Sequence, residues 1–507
     1  MKASVTAHAE FTISTIDDRV YGAFLEHLGR AIYTGIYEPG HKTADKEGMR
    51  GDVLELCRDL KIPVVRYPGG NFVSAYNWED GVGPREKRPT RLDLAWHTSD
   101  SNAVGVHEFI DWCDKADTLP MLAINLGSRG LDEARNFVEY VNGPTGSHWG
   151  DLRKKHGHAK PFNVKHWCLG NEMDGPWQVG HKTAHEYGRL ANETAKTLRA
   201  FDKNLELIVC GSSNSDMKSY PEWERVVLEH TYESVDHISL HMYFANRAKN
   251  TANYLALNHK LDAYIGAVAS TIEAVRASKR SKKKVTISFD EWNVWYHSNK
   301  ADRAILDGNE GWPHAPRLLE DIYNFEDVLQ VGCILNTFIR RSDVVKIACI
   351  AQLVNVIAPI MTEPGGDAWR QTIYYPYFFA SNFGRGTALH LSVKCPGYDS
   401  DVADNVPYID IAGVRGADGG VTLFAVNRHG TETLDLAVDL QGFGELKVLD
   451  HQVIAHGDLE ARNDLKKQDA VKPKKGAGAK AEGGKLTAKL APYSYQMIRL
   501  GAGKAGK

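Results

Sequence analysis

The sequence predicts an α/β fold, a closed (β/α)8 TIM barrel followed by a C-terminal antiparallel β-sandwich. Over the first 385 residues, eight short apolar runs alternate with longer amphipathic stretches. These runs are continuously apolar, which is typical of parallel strands buried on both faces. After about residue 385 the chain changes to short runs in which apolar and polar residues alternate. That second pattern is typical of antiparallel strands with one solvated face.

The apolar runs have the length of barrel strands. They occupy residues 21–27, 62–70, 120–127, 164–172, 205–213, 235–243, 285–293 and 347–355. Helical patterns, with apolar residues at three- and four-residue spacing, lie between them at residues 102–116, 183–201 and 255–278. Eight β units, each followed by a helix, favour a closed barrel. The alternative is an open doubly wound sheet, but HLGRAIYTG (27–35) is a poor match to the glycine-rich phosphate loop of that fold.

The change in pattern also predicts the domain boundaries. We assign residues 18–385 to the barrel. Residues 1–17 and 386–507 are assigned to the sandwich, because the N-terminal run alternates in the same way as the C-terminal ones. The segment 464–485 is rich in Lys, Gly and Ala and contains few apolar residues. We therefore expect it to be a mobile loop.

Composition indicates which classes of partner and which cellular compartment to expect. The chain has 507 residues, a formal net charge of −3 and 43% hydrophobic residues. This balance gives no electrostatic reason to bind nucleic acid or an anionic membrane, so neither is expected as a partner. The N-terminus lacks the apolar core of a secretory signal, and the seven cysteines form no CxxC pair. We expect reduced thiols in a cytoplasmic protein.

Polar side chains follow the apolar strands at their C-terminal ends. In (β/α)8 barrels the catalytic groups come from these ends. Polar groups that are buried without a partner are costly in free energy. A large number of polar side chains at the strand ends therefore indicates that they share one site. The residues are Glu26, Arg66, Asn71, Asn125, Asn171, Glu172, Ser212, Ser213, Asn214, His241, Tyr243, Asp290, Glu291 and Gln352.

Two of these residues suggest a specific reaction. Hydrolysis of a glycosidic bond needs one carboxylic acid to protonate the leaving oxygen and a second carboxylate to attack carbon or activate water. Glu172 and Glu291, after the fourth and seventh strands, are predicted to face each other. We expect Trp177 and the second carboxylate to raise the pKa of Glu172, and hydrogen bonds from Tyr243 and Arg66 to keep Glu291 ionised. The alternative is that a glutamate beside a Gly-Asn turn only caps the next helix.

The motifs around both glutamates resemble those of a known family. GNEMDGPW (170–177) and FDEWNVWY (289–296) are similar to the two catalytic motifs of glycoside hydrolase family 51. The resemblance continues in colinear order through residues 22–40, 66–84, 239–243 and 351–360. It implies a retaining, exo-acting α-L-arabinofuranosidase that removes terminal non-reducing arabinofuranosyl residues from arabinan- or arabinoxylan-derived oligosaccharides by double displacement. It also implies a homo-oligomer, often a hexamer in this family, and no cofactor.

The resemblance assigns roles to individual residues. Glu172 would be the general acid/base and Glu291 the nucleophile, about 5–5.5 Å apart, with Asn171 on the sugar 2-hydroxyl. Glu26, Asn71 and Gln352 would bind the furanose hydroxyls. Trp96 would stack on the sugar at the pocket rim, and Tyr243 would orient the nucleophile. Arg66 and His241 would lie behind the residues that contact the sugar and support them. Packing roles remain open for Trp96, Arg66 and His241.

Other functions remain possible from the sequence. An enzyme of the same architecture with another specificity, such as an endo-β-glucanase or a β-xylosidase, would carry the same pair of acids. A non-catalytic carbohydrate-binding protein on a barrel scaffold would usually have lost one glutamate, and both are present here. The histidines, including His156 and His158, show no spacing that forms a ligand set, so no metal is expected.

Overall fold

In the computed structural model, which describes residues 1–502, eight parallel strands close into a barrel. In chain order they are Gly22–Phe24, Val64–Tyr67, Leu119–Ile124, His166–Leu169, Glu206–Cys210, His237–Phe244, Thr286–Val294 and Val345–Ala351. We number them barrel strands 1 to 8. Strand 8 pairs with strand 1, with Ile350 opposite Ala23, and this pairing closes the ring. Each predicted run overlaps one of these strands, so the closed barrel is confirmed and the open sheet is excluded.

The strands alternate with helices that cover the outside of the barrel. The α-helices are Gly51–Asp59, Val106–Ala116, Leu131–Asn142, His148–Lys155, Ala184–Phe201, Glu222–Thr231, Thr251–Lys279, Asn299–Leu306, Phe325–Arg340 and Tyr374–Phe383. The helix Ala184–Phe201 begins with a capping box in which Thr183 and Glu186 each accept a hydrogen bond from the other's backbone N–H. None of the helices within residues 1–502 combines the length and the apolar character needed to cross a membrane.

The interior of the barrel is packed with side chains. Apolar residues from most of the strands form one buried cluster, which includes Phe24, Val64, Met121, Ile208 and Ile347. A larger apolar layer lies between the strands and the helices and contains fully buried residues such as Trp112, Trp167 and Trp223. Because the interior is filled, polar side chains at the strand ends have space only at the mouth of the barrel.

The sandwich is one continuous sheet of ten strands. Its strands, in sheet order, are Lys474–Lys475, Lys447–Ala455, Ser494–Gly501, Val421–Asn427, Ile409–Arg415, Thr387–Lys394, Lys2–Thr15, Leu434–Gln441, Lys485–Leu490 and Lys480–Glu482. Apolar residues from both halves of the sheet, among them Val5, Leu423, Leu436 and Ile498, form its core. The N-terminal strand joins the sheet as predicted, but its pairing with Leu434–Gln441 is parallel.

The segment 464–485 differs from the expected structureless loop. It contains two short strands, Lys474–Lys475 and Lys480–Glu482, which pair at opposite edges of the sheet. Edge pairing uses backbone groups alone, so a low content of apolar side chains does not prevent it. Its mobility stays a prediction. The domain division at residues 17/18 and 385/386 is likewise our proposal, and residues 503–507 lie outside the described residues.

Short elements complete the chain. Two-stranded sheets pair Arg91–Asp93 with Thr98–Asp100, Ile360–Thr362 with Ala368–Arg370, and Gly397–Tyr398 with Val406–Pro407. Single 3-10 turns lie at Asp18–Tyr21, Asn71–Ala75, Trp78–Gly81 and Arg85–Lys87. The hairpin that contains Arg91–Asp93 and the turn that begins at Asn71 both belong to the connection after barrel strand 2, and they bring Trp96 and Asn71 to the barrel mouth.

Candidate active site

A cavity of about 590 Å³ opens at the C-terminal ends of the barrel strands. The predicted residues in its wall are Glu26, Asn71, Trp96, Glu172, Tyr243, Glu291 and Gln352. Arg66, Asn171 and His241 lie directly behind this wall, each no more than 2% exposed. The structure therefore brings together, at one end of the barrel, all ten residues that were given a role in the site, whereas the strand-end residues Asn125 and Ser212 are not part of the cavity wall.

Glu172 and Glu291 face each other across this cavity. Strand 4 ends at Leu169, and the chain then turns through Gly170 and Glu172, whose φ angles are 92° and 44°. A positive φ is unfavourable for a residue with a side chain, so the turn holds Glu172 at some cost in backbone strain. An oxygen of Glu172, an oxygen of Glu291 and a ring nitrogen of His241 all lie within 4.8 Å of one another. This separation suits direct attack on the sugar carbon and is well below the spacing of about 6.5–9.5 Å between the carboxyl groups of inverting enzymes.

A β-bulge in strand 7 explains how two consecutive acids reach the same site. Side chains along a strand normally alternate between its two faces. Between Ser288 and Glu291, strand 7 contains one more residue than strand 6, and the same irregularity occurs against strand 8. Such an extra residue re-aims the side chains beside it. As a result, both Asp290 and Glu291 contact His241.

Glu291 accepts hydrogen bonds on both carboxylate oxygens. Arg66 donates from Nη1 to Oε1 at 2.6 Å, and the Tyr243 hydroxyl donates to Oε2 at 2.8 Å. The second guanidinium nitrogen of Arg66 donates to Asn171 Oδ1 at 2.6 Å. Asn171 in turn donates to Asn71 Oδ1 at 3.3 Å. These donors fix the orientation of the Glu291 carboxylate toward the cavity.

Glu172 has a different environment. Burial and the charge of Glu291 raise its pKa, while hydrogen bonds from His241 and Trp177 act in the opposite direction. His241 Nδ1 lies 2.9 Å from Oε1, and the Trp177 indole N–H donates to Oε2 at 2.7 Å. The expectation that Trp177 raises the pKa of Glu172 is therefore wrong, because the indole presents its N–H rather than its apolar face. Burial nevertheless raises the pKa of Glu172, as a proton donor requires.

His241 connects three carboxylates behind the cavity. In addition to Glu172, its Nε2 lies 3.0 Å from Asp290 Oδ1, and its Nδ1 lies 3.7 Å from Glu291 Oε2. Burial lowers the pKa of His241, but the charge of Glu291 and the hydrogen bonds of Asp290 and Glu172 outweigh it and raise that pKa to about 10. The sequence indicated Asp290 only by its place at a strand end, since strand alternation points it away from the site.

The opposite side of the cavity is formed by the ends of strands 1, 2 and 8. Glu26 Oε1 accepts hydrogen bonds from the Phe72 backbone N–H at 2.9 Å and the Trp96 indole N–H at 3.0 Å. Gln352 donates to Glu26 Oε2 at 3.4 Å. Burial, with the charge of Glu291, raises the pKa of Glu26 to about 8. A neutral Glu26 therefore presents a hydroxyl donor at neutral pH, in a wall rich in groups that bind hydroxyls.

Comparison with known proteins identifies matches along almost the whole chain. The family model described as the α-L-arabinofuranosidase 1 domain matches residues 56–258, and that of the α-L-arabinofuranosidase C-terminal domain matches residues 290–494. An intracellular exo-α-(1→5)-L-arabinofuranosidase of Halalkalibacterium halodurans is 54% identical over 502 residues, covering 99% of both chains. An intracellular exo-α-(1→5)-L-arabinofuranosidase 1 of Bacillus subtilis is 52% identical, covering 98% of this chain and 99% of the relative.

Solved structures match equally well. AbfB, a family 51 α-L-arabinofuranosidase of Bifidobacterium longum, is 40% identical with a TM-score of 0.93, covering 98% of this chain and 99% of that one. The arabinose complex of an α-L-arabinofuranosidase from Thermotoga maritima is 32% identical with a TM-score of 0.87, covering 98% and 99% of the two chains. These enzymes therefore have the same combination of barrel and sandwich as this chain.

Proposed function

The chain belongs to glycoside hydrolase family 51 and is a retaining, exo-acting α-L-arabinofuranosidase, and from this premise we propose that Glu291 is its nucleophile and Glu172 its general acid/base. The main support for this assignment is that the two carboxylates lie within 4.8 Å of each other in different electrostatic environments. Glu291 accepts hydrogen bonds from Arg66 and Tyr243, and burial favours the proton on Glu172.

The reaction then has two steps. In the first, a Glu291 oxygen attacks the anomeric carbon while Glu172 protonates the departing glycosidic oxygen, which leaves an arabinofuranosyl ester on Glu291. In the second, Glu172 takes a proton from water, which attacks the same carbon and releases arabinose with its original anomeric configuration. A separation of no more than 4.8 Å between their nearest oxygens supports this course, because an inverting enzyme needs about 6.5–9.5 Å between its carboxyl groups.

The arabinofuranosyl ring lies, in our proposal, between the two glutamates and the wall formed by strands 1, 2 and 8. Glu26, Asn71 and Gln352 bind its hydroxyls, and Trp96 forms the rim beside Glu26. Asn171, held by Arg66, bonds the 2-hydroxyl, a contact that strengthens as positive charge develops on the ring.

We propose arabino-oligosaccharides with α-(1→5) linkages as the preferred substrates. The relatives from Halalkalibacterium halodurans and Bacillus subtilis carry that linkage in their names, whereas an exo-α-(1→6)-L-arabinofuranosidase of Bifidobacterium longum is 44% identical. Both bacterial (1→5) enzymes are named intracellular, and all seven cysteines of this chain are free, so we place the enzyme in the cytoplasm. Assembly into a homo-oligomer, such as the hexamer implied by the family resemblance, remains part of the proposal.

Chemical rescue tests the two roles against each other. Glu172→Ala and Glu291→Ala are assayed on 2,4-dinitrophenyl α-L-arabinofuranoside with added azide, and the sugar azide formed is identified by NMR. Azide replaces the missing base in Glu172→Ala and attacks the enzyme ester, so the product keeps the substrate's anomeric configuration. In Glu291→Ala azide replaces the nucleophile, and the product has the opposite configuration. Swapped configurations, or no rescue in either variant, contradict the assignment.

The alternative specificities are not favoured. An endo-β-glucanase or β-xylosidase of the same architecture would share the paired acids, but the relatives of high identity are named arabinofuranosidases. A panel of nitrophenyl glycosides separates these activities directly. We expect α-L-arabinofuranoside to be cleaved at least about a hundredfold faster than β-D-xyloside, because a site built around specific sugar hydroxyls leaves polar groups unpaired with the wrong ring.

A further inference from the structure

Asp290 is a buried carboxyl group that has no task in a double displacement. Its side chain is fully buried beside Glu291. Oδ1 accepts a hydrogen bond from the Ser239 hydroxyl and lies 3.0 Å from His241 Nε2, and Oδ2 lies 3.9 Å from Arg66 Nε. A buried carboxylate costs several kcal/mol unless it is well paired, so its place behind the catalytic pair needs an explanation.

Asp290 determines which nitrogen of His241 carries a hydrogen. Although burial raises the pKa of Asp290, the charge of Arg66 and the hydrogen bond from His241 outweigh it and lower that pKa. An ionised Asp290 can only accept, so His241 Nε2 must donate to it. His241 Nδ1 is thereby turned toward Glu172 Oε1, at 2.9 Å. One proton then lies between Nδ1 and Oε1, and either group can hold it.

We propose that Asp290 is a positioning residue for proton transfer, acting through His241 to set how firmly the Glu172–His241 pair holds the proton that Glu172 delivers to the leaving oxygen. This inference rests on the proposed role of Glu172 as acid/base. The arrangement follows the logic by which a buried carboxylate orients a histidine toward a reacting group. Here the group that the histidine contacts is a carboxylic acid instead of a hydroxyl.

The Glu172–His241 pair ends the two steps with the same number of protons that it had at the start. Before reaction the pair holds one proton between Oε1 and Nδ1, and His241 keeps a second hydrogen on Nε2, facing Asp290. In the first step the shared proton passes to the glycosidic oxygen, which leaves Glu172 as an anion beside neutral His241. In the second step the attacking water returns a proton to the pair. Asp290 stays ionised throughout, so it contributes orientation and negative charge.

The charges that face His241 determine the sign of the pH effect. Glu172 and Asp174 face it from the end of strand 4 and the loop that follows, Asp290 and Glu291 from strand 7, and Arg66 from strand 2. The negative groups outnumber the single cation, so they help the pair retain its proton as the pH rises. Removal of the Asp290 charge is therefore expected to make the pair lose its proton at lower pH.

The test is the Asp290→Asn variant, compared with wild type and Glu172→Ala. The alkaline limb of kcat/KM for Asp290→Asn is expected to move to lower pH by about one unit, the effect of one adjacent charge. Its loss of activity is expected to be greater on phenyl arabinofuranoside and arabinobiose than on the 2,4-dinitrophenyl substrate, because only poor leaving groups need the proton. A merely structural role would lower all three equally and leave the limb in place, and that result overturns the proposal.

Comparison with Glu172→Ala separates failure of the Asp290 proposal from failure of the acid/base assignment. If Glu172→Ala shows the leaving-group dependence and Asp290→Asn does not, the acid/base role survives and the role of Asp290 falls. If Glu172→Ala itself shows no dependence, both fall. Should Asp290→Asn fail to fold, His241→Asn decides the matter, because it also breaks the link to Asp290 and is expected to show the same preference for good leaving groups.

Discussion

Arg66 donates from Nη1 to Glu291 Oε1 at 2.6 Å, so strand 2 holds a carboxylate of strand 7 across the barrel. The same guanidinium donates from Nη2 to Asn171 at 2.6 Å. One planar group thus fixes the spacing between the proposed nucleophile and the residue proposed to bind the 2-hydroxyl. A lysine has a single ammonium and cannot make both contacts in this fixed geometry.

We predict that Arg66→Lys lowers kcat by about a hundredfold or more, because small errors in the placement of reacting groups are costly. Arg153→Lys is the matched control, since Arg153 is equally buried but bonds backbone carbonyls such as that of Tyr140, away from the cavity. It is expected to reduce stability and leave kcat near wild type. Equal kcat values for the two variants in steady-state assays would contradict the role of Arg66.

Removal of the Tyr243 hydroxyl tests the other hydrogen bond to Glu291. Tyr243→Phe takes away the donor at 2.8 Å from Oε2 and is expected to lower kcat/KM by about tenfold, the value of a hydrogen bond to a charged group. In Tyr21→Phe the lost hydroxyl donates to the Gly384 carbonyl at 2.7 Å instead. That variant should unfold at a lower temperature with unchanged kcat/KM. An unaltered kcat/KM in Tyr243→Phe would show that its hydroxyl does not act on Glu291.

Glu26 is expected to make stability depend on pH. Its pKa is about 8 in the folded chain, against 4.5 for an unperturbed glutamate. Above pH 4.5 the unfolded chain loses this proton while the folded chain keeps it, so the free energy of unfolding falls as the pH rises from about 4.5 to 8. Glu26→Gln removes the titration. Its unfolding free energy should fall less between pH 5 and 8 than that of wild type, by on the order of 3–4 kcal/mol.

Urea unfolding at several pH values measures this difference. The exposed Glu55 provides the control, because Glu55→Gln removes a carboxyl group that is not buried. Its pH dependence is expected to run parallel to that of wild type. Parallel curves for Glu26→Gln as well would mean that Glu26 is ionised in the folded protein at neutral pH.

Asp410 joins the sandwich to two barrel helices. It accepts hydrogen bonds from Arg428 at 2.9 Å, from Asn336 at 2.7 Å and from Asn258 at 3.0 Å, and Arg340 adds a further ion pair. Asp410→Ala leaves the buried Arg428 without its charge partner and is expected to lower the free energy of unfolding by about 3–5 kcal/mol.

Chemical denaturation with an activity assay checks this prediction. Asp435, exposed on the same sheet, is the control, and Asp435→Ala is expected to change stability by less than about 0.5 kcal/mol. Because Asp410 lines a different cavity from the catalytic one, kcat of the folded Asp410→Ala enzyme should equal that of wild type. A loss of stability no larger than the control's would mean that the network contributes little.

The sequence predicted the barrel because burial on both faces leaves a continuous apolar run for each strand. It also placed nine of the ten site residues at one end, since parallel strands in a barrel all end at the same rim, whereas Trp96 was assigned from the family resemblance. The strand Lys485–Leu490 was not predicted, because it follows directly on the Lys- and Gly-rich segment. Its alternation is short, and only pairing with Leu434–Gln441 gives it a buried face.

The contacts behind the cavity were beyond prediction for a different reason. Asp290 reaches His241 only because strand 7 contains a bulge, and nothing in FDEW distinguishes a bulged strand from a regular one. The orientation of Trp177 is a rotamer, decided by packing in the folded chain, so composition indicated an apolar neighbour where the structure shows an N–H donor to Glu172. Residue type at a strand end was predictable, and side-chain direction was not.

The most direct test of the central claim is the identity of the residue that carries the sugar. Glu172→Ala is mixed with 2,4-dinitrophenyl α-L-arabinofuranoside, whose leaving group needs no acid, and the protein is digested for mass spectrometry. Without its base the variant should accumulate the ester, and the arabinofuranosyl group should map to Glu291. Attachment to any other residue, or release of dinitrophenol with no adduct formed, would contradict a double displacement by Glu291 and Glu172.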